Sequence, residues 1–177
     1  MKKRLILIAA LLVLIPAFTF AQSLTIVIVQ RDASTTLVCE MTRLLETSLM
    51  DSFFDDGFIV SNEPVVVTGT GNELFIEHLA SAGTGGMGYI VPVIVEYGET
   101  SGTATFVNLE WEVLSNNYDV YASGVVDQPK LHAALNRRDC EKGVRKFASD
   151  LEKEIGAAIR FQAQLQKKKS QELSFKR

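Results

Sequence analysis

Residues 24–30 read LTIVIVQ, from Leu24 to Gln30. The run is short, β-branched and apolar without alternation, the pattern of a strand buried on both faces. Asp32 and Ser34 follow as helix caps. Leu37, Val38, Met41, Leu44, Leu45 and Leu49 then recur at helical spacing on one broad stripe. This spacing predicts a helix from about Thr35 to Phe54, stopped by Asp55-Asp56-Gly57. A buried strand that feeds a helix opens an α/β arrangement.

The pattern continues outward. Phe58-Ile59-Val60 and Val65-Val66-Val67 flank a polar break with Pro64, so an interrupted strand is expected there. Gly69-Thr70-Gly71-Asn72 turns into a second helix, about Asn72 to Ala82. Tyr89 to Tyr97 (YIVPVIVEY) is a strand in which Pro92 argues for an edge or a bulge. In Thr103 to Leu114, Val107, Leu109, Trp111 and Val113 alternate with Asn108, Glu110 and Glu112. Ser115-Asn116-Asn117 is a tight turn, and alternation resumes from Tyr118 to Val126. These strands read as an antiparallel meander with one wet face. After a short helical stretch, Leu131 to Asn136, the apolar stripe Cys140, Val144, Phe147, Leu151, Ile155, Ala158, Ile159 and Gln162 predicts a closing helix from about Asp139 to Leu165. The order β-α-β-α-β-β-β-α implies a mixed α/β (α+β) fold, with a mixed sheet and helices packed mainly on one face.

The 177 residues are 47% hydrophobic with only four Pro, which excludes collagen-like and disordered classes. Lys2, Lys3 and Arg4 precede an apolar run from Leu5 to Phe20, and Thr19-Phe20-Ala21 is a small–x–small ending. This order predicts a signal peptide over 1–21. The run is shorter than the ~20 apolar residues of a membrane span. Cys is absent at the cut, which excludes lipid attachment there. Residues 22–165 then form one exported, periplasmic or secreted domain, and 166–177 a basic flexible tail without apolar period.

Charge is divided along the chain. Gln22 to Asp127 holds two basic residues, Arg31 and Arg43, against 15 acidic ones; Gln128 to Arg177 holds 13 basic and six acidic. The acidic body repels nucleic acid. The basic segment is expected to lie against that body, with anionic lipid, glycan or an acidic partner as the other readings.

Chemistry-bearing motifs are few. Gly83 to Gly88 is glycine-rich, but it runs from helix to strand, the reverse of a phosphate loop. Gly69-Thr70-Gly71 lacks its third glycine, and Gly-Lys-Ser/Thr does not occur. No cofactor is therefore expected. His78 and His132 have no ligand neighbour at metal spacing, so no metal is expected either. Glu110 and Glu112 lie on one strand face about 7 Å apart, compatible with an acid–base pair but more simply a solvated face. Cys39 and Cys140, an even pair in an exported chain, predict one disulfide if the two helices lie side by side.

The strand after the signal (Leu24–Gln30), the helix ending in a Phe-rich Asp-Gly (Thr35–Gly57), the Gly-Tyr-Ile-Val strand start (Gly88–Tyr97) and the meander (Thr103–Asp127) resemble bacterial envelope domains. These are the TolB N-terminal domain, the lipoprotein activators of penicillin-binding proteins and the periplasmic domain of the curli-secretion channel. Members often carry Gly-Ala-Asp where Gly86-Met87-Gly88 stands here. The resemblance implies a non-enzymatic domain that docks onto another envelope protein. The docking face expected from the residues is Asn108, Glu110, Glu112, Asp119 and Tyr121. The alternatives are a small-molecule pocket near Gly83–Gly88, and a hydrolase whose triad the motifs do not reveal.

Overall fold

The computed structural model describes residues 22–31, 36–68, 79–81, 88–100, 103–127 and 137–175. Residues 1–21, expected to be a signal peptide, residues 82–87, His78 and His132 lie outside them. The elements are β1 (Ser23–Arg31), α1 (Thr36–Asp55), β2 (Ile59–Asn62), β3 (Val66–Thr68), α2 (described over 79–81), β4 (Tyr89–Thr100), β5 (Thr103–Leu114), β6 (Val120–Asp127) and α3 (Arg137–Phe175).

Six strands form one mixed sheet in the order β2-β1-β4-β5-β6, with β3 also on β1. β1 pairs parallel with β2, β3 and β4, and β4-β5-β6 is the antiparallel meander. Leu24 to Gln30 are all buried, as a doubly covered strand requires. The interrupted strand is real. β2 follows Ser23 to Ile26, β3 follows Val29 to Arg31, and the Glu63 N–H bridges the gap to the Ile26 carbonyl at 3.0 Å.

Pro92 is not at an edge. It is buried in β4, between β1 and β5. It faces Val27 in the parallel ladder, and the pairing of β4 with β5 steps from Ile90↔Leu114 to Val93↔Trp111. A residue without an N–H sits where the antiparallel ladder is open.

One sheet face carries the main core. Ile26 and Ile28, Val91, Val93 and Val95, and Leu109, Trp111 and Val113 are buried there against Met41, Leu45, Leu49 and Phe53 of α1 and Val144, Ala148, Leu151, Ile155 and Ile159 of α3. The helical residues repeat at three and four, so each helix presents one stripe. The C-terminus of α1 is closed by Gly57 at φ 87°. The Phe58 N–H donates to Phe53 O at 3.0 Å and the Gly57 N–H to Phe54 O at 3.0 Å, the paired bonds of a Schellman end. Phe53 and Phe58 meet edge to face at 5.5 Å, which supplies its apolar contact.

Inside this core three polar side chains satisfy one another. The Thr42 hydroxyl donates to Gln30 Oε1 at 2.7 Å and lies 2.7 Å from the Tyr97 hydroxyl. Its one proton goes to Gln30, so Tyr97 donates to Thr42.

The second face is covered over β1 and β4. Val27, Ile90 and Leu114 form a smaller cluster there, with Leu79 of α2 against it. Helices therefore lie on both faces, two long ones on the first and the described part of α2 on the second.

Two bulges reset the meander. At the first, Glu96↔Asn108 is followed by Tyr97↔Phe106. Val107 is the extra residue, 40% exposed, and Phe106 takes the core place that alternation assigned to Val107. At the second, Val113↔Ala122 is followed by Leu114↔Val120, so Tyr121 is extra. The turn between β5 and β6 runs longer than Ser115-Asn116-Asn117. Tyr118, not an asparagine, adopts φ 64°, and the Ser115 hydroxyl accepts the N–H groups of Asn117 and Asp119 at 3.1 and 3.0 Å. Gly124 stands opposite Trp111; a Cβ there would lie 2.6 Å from the indole.

α3 is one helix of 39 residues, ten past its expected end. The extension is rich in Gln and Lys, which favour helix without any apolar stripe. Residues 166–175, expected to fray, are helical.

Candidate functional site

The acidic patch of the meander is centred on β5. Asn108, Glu110 and Glu112 share the second sheet face, as the alternation predicts, and all three are half-buried. Asn108 Nδ2 donates to Glu110 Oε1 at 3.1 Å. Glu96 of β4 pairs with Asn108, and Val125 and Ser123 of β6 pair with Glu110 and Glu112. Val125 is 61% exposed. This patch combines carboxylates with an exposed apolar side chain on the β5–β6 half of the face. The setting is electrostatically uniform. Between Arg43 and Lys130 the chain has 13 acidic residues and no Lys or Arg.

Tyr121 does not belong to this patch. The second bulge turns it toward the helices. Its ring meets Tyr89 edge on at 6.1 Å, its carbonyl accepts from Gln162 at 3.3 Å, and its hydroxyl accepts from Gln166 at 3.2 Å. Alternation, which placed it on the wet face, does not register an inserted residue. Asp119 is also removed from the patch. It is an exposed turn residue whose carbonyl accepts the Ser115 N–H at 2.9 Å.

A second polar group joins the helices. Arg160 of α3 donates to Asp56 just after α1 and lies over the Phe58 ring at 5.6 Å. Glu152, one helical stretch earlier, is only 5% exposed. Its Oε1 is buried without a hydrogen-bond partner. Burial, then the hydrogen bond and charge of Asp56, push its carboxyl up to about 7. Asp56 moves the other way, held low chiefly by Arg160. Gly156 makes the room: a Cβ there would lie 2.8 Å from Glu152 Oε1 and 3.1 Å from Arg160 Nη2. Sequence reasoning missed this group. The signal was a Glu beside Leu151, at the border of the apolar stripe, with a Gly four residues on.

Cys140 is a free, half-buried thiol near the start of α3, and burial pushes it up, away from thiolate. The Cys39 side chain lies outside the described residues. Gly88 is described, and its N–H donates to the Ser23 hydroxyl at 2.9 Å; the rest of the glycine loop is not. Among the described residues no helix is long and apolar enough to cross a membrane, and no three His, Cys, Asp or Glu gather as a metal site.

Solved structures of similar outline share little sequence with the chain. The PelC dodecamer of Paraburkholderia phytofirmans is 15% identical, over 76% of this chain and 90% of that one, with a TM-score of 0.45. A protein described as a neuraminyllactose-binding hemagglutinin homolog from Helicobacter pylori is 10% identical, over 82% and 91%, with a TM-score of 0.48. A Xanthomonas campestris protein of the DUF330 family model is 14% identical, over 85% and 94%, with a TM-score of 0.40. No curated protein matches the chain. The TolB, penicillin-binding-protein activator and curli-channel groups are not what these comparisons show. The family model described as "Uncharacterised protein" matches residues 23–160, from β1 into α3, and the chain belongs to that family.

Proposed function

We propose that the chain is a non-enzymatic, exported domain that acts by docking to a protein of the cell envelope. The observation that carries this reading is the patch of Glu110 and Glu112 beside exposed Val125, on the sheet half that the described helices leave uncovered. Half-desolvated carboxylates next to an apolar side chain favour a basic partner with an apolar contact at its centre. The apolar signal-like segment at 1–21 supports export. The small-molecule and hydrolase alternatives rest on the Gly83–Gly88 loop, His78 and His132, and no described geometry favours them.

The test is the double variant Glu110→Ala with Glu112→Ala. Both side chains reach solvent, so thermal unfolding should stay close to wild type. Recovery of the envelope partner should fall, and wild-type recovery should weaken with salt over a Debye length of ~8–10 Å. Equal recovery by both proteins at low and high salt would mean that the patch is only solvated.

A further inference from the structure

Arg160 of the basic segment pairs with Asp56 of the acidic body. Beyond Gln166, which bonds the Tyr121 hydroxyl of the sheet, the helix runs on for nine residues. At 1.5 Å each they carry it about 13 Å past that contact. Lys167, Lys168 and Lys169 begin this overhang and are all exposed. None of them forms an ion pair with a described acidic residue of its own chain. Three consecutive helical positions span about 200° of the circumference, so the charge forms a collar.

The acidic patch cannot receive this collar within one molecule. α3 lies on the first sheet face, against α1 and the core. Glu110 and Glu112 point from the second face. A continuous helix packed on one side of a sheet cannot bend round to the other. The sequence-level expectation that the basic segment neutralises its own body therefore holds at Arg160 and fails at the lysines. The two complementary patches stand on opposite sides of the sheet, and both reach solvent, Glu110 and Glu112 in part and the three lysines as exposed side chains.

We infer that the patch at Glu110 and Glu112 takes the Lys167–Lys169 end of α3 from a second copy of this chain, so that the protein self-associates by charge. The inference rests on the docking reading and names its partner. Exposed Val125, across from Glu110, supplies the apolar centre, and exposed Leu173, 68% accessible on the overhang, supplies its counterpart. Opposite charges on separate patches also steer the encounter, and that attraction is screened by salt.

The experiment measures mass by sedimentation velocity on the exported full chain. Self-association should be seen at ~0.05 M salt and weaken about tenfold or more at ~0.5 M. Lys167→Glu, Lys168→Glu and Lys169→Glu together should give monomers, as should Glu110→Lys with Glu112→Lys. Mixing the two variants should restore association, because the acidic collar of one now fits the basic patch of the other. A wild type that is monomeric at low salt would overturn the inference, and so would a mixture that stays monomeric while both variants keep wild-type unfolding temperatures. If the triple-lysine variant keeps wild-type recovery of an envelope partner that Glu110→Ala with Glu112→Ala loses, self-docking falls and the docking reading stands.

Discussion

Glu152 is a buried acid whose titration bears directly on stability. Its folded carboxyl, at about 7, lies above the ordinary 4.5. A raised acid binds its proton more tightly folded than unfolded, so its stabilisation is present below about 4.5 and is lost as pH rises through 7. Asp56, lowered by Arg160, has the opposite sign: its contribution is present above 3.8 and lost as pH falls. Glu152→Gln keeps the neutral shape at every pH. The variant should match wild type near pH 5 and exceed it near pH 8 by roughly 1–3 kcal/mol. Urea titrations at the two pH values check this, and equal pH slopes would refute it. The core triad gives a second case. Thr42→Val removes the hydroxyl that both Gln30 and Tyr97 bond, and should cost about 1–3 kcal/mol in the same assay.

At the scale of elements, what was legible in the sequence was whatever follows a period. β1, α1 with its Asp-Gly stop, the interrupted β2–β3 strand and the meander all follow a repeat of 2 or 3.6, or a break in one. What was not legible breaks the period without breaking the element. The bulges at Val107 and Tyr121 each insert one residue, which moved Phe106 into the core and Tyr121 out of the expected docking face. Pro92 was misplaced for a related reason, since the sequence does not say where a ladder already lacks a bond. The end of α3 was missed because propensity, not burial, sustains its last turns. A chain stopped after Gln166 should therefore unfold within about 0.5 kcal/mol of wild type, because residues 166–173 are exposed. A larger loss, seen by thermal melting, would mean that the overhang braces the fold.

For the whole molecule, the sheet separates two chemistries. One face is sealed by α1 and α3 around a continuous apolar core, and the other, among the described residues, carries no helix over β5 and β6 and is acidic. The half-buried carboxylates were legible as a wet face, but the Asp56–Glu152–Arg160 group was not, since it joins residues about a hundred positions apart. Export is a molecular-scale prediction as well. Cleavage after Ala21 should leave Gln22 as the first residue, read by N-terminal sequencing of the protein from its host; an intact Met1 would contradict it. The expected Cys39–Cys140 bond is not seen, since Cys140 is a free thiol; alkylation without reductant should therefore label it, and a Cys140 that reacts only after reduction would mean that it pairs in that protein.

Gly124 has a use beyond packing. The chain has one tryptophan, Trp111, 7% exposed and lying over that glycine. Its fluorescence therefore reports a single spot at the middle of the meander, with no other indole to dilute the signal. Methyl at position 124 would meet the ring at 2.6 Å and cost about 1–3 kcal/mol as it displaces the indole. In Gly124→Ala the emission should shift to the red while the chain is still folded. The molecule thus carries its own optical gauge, one that separates loosening of the sheet from loss of the helices, which circular dichroism records on its own.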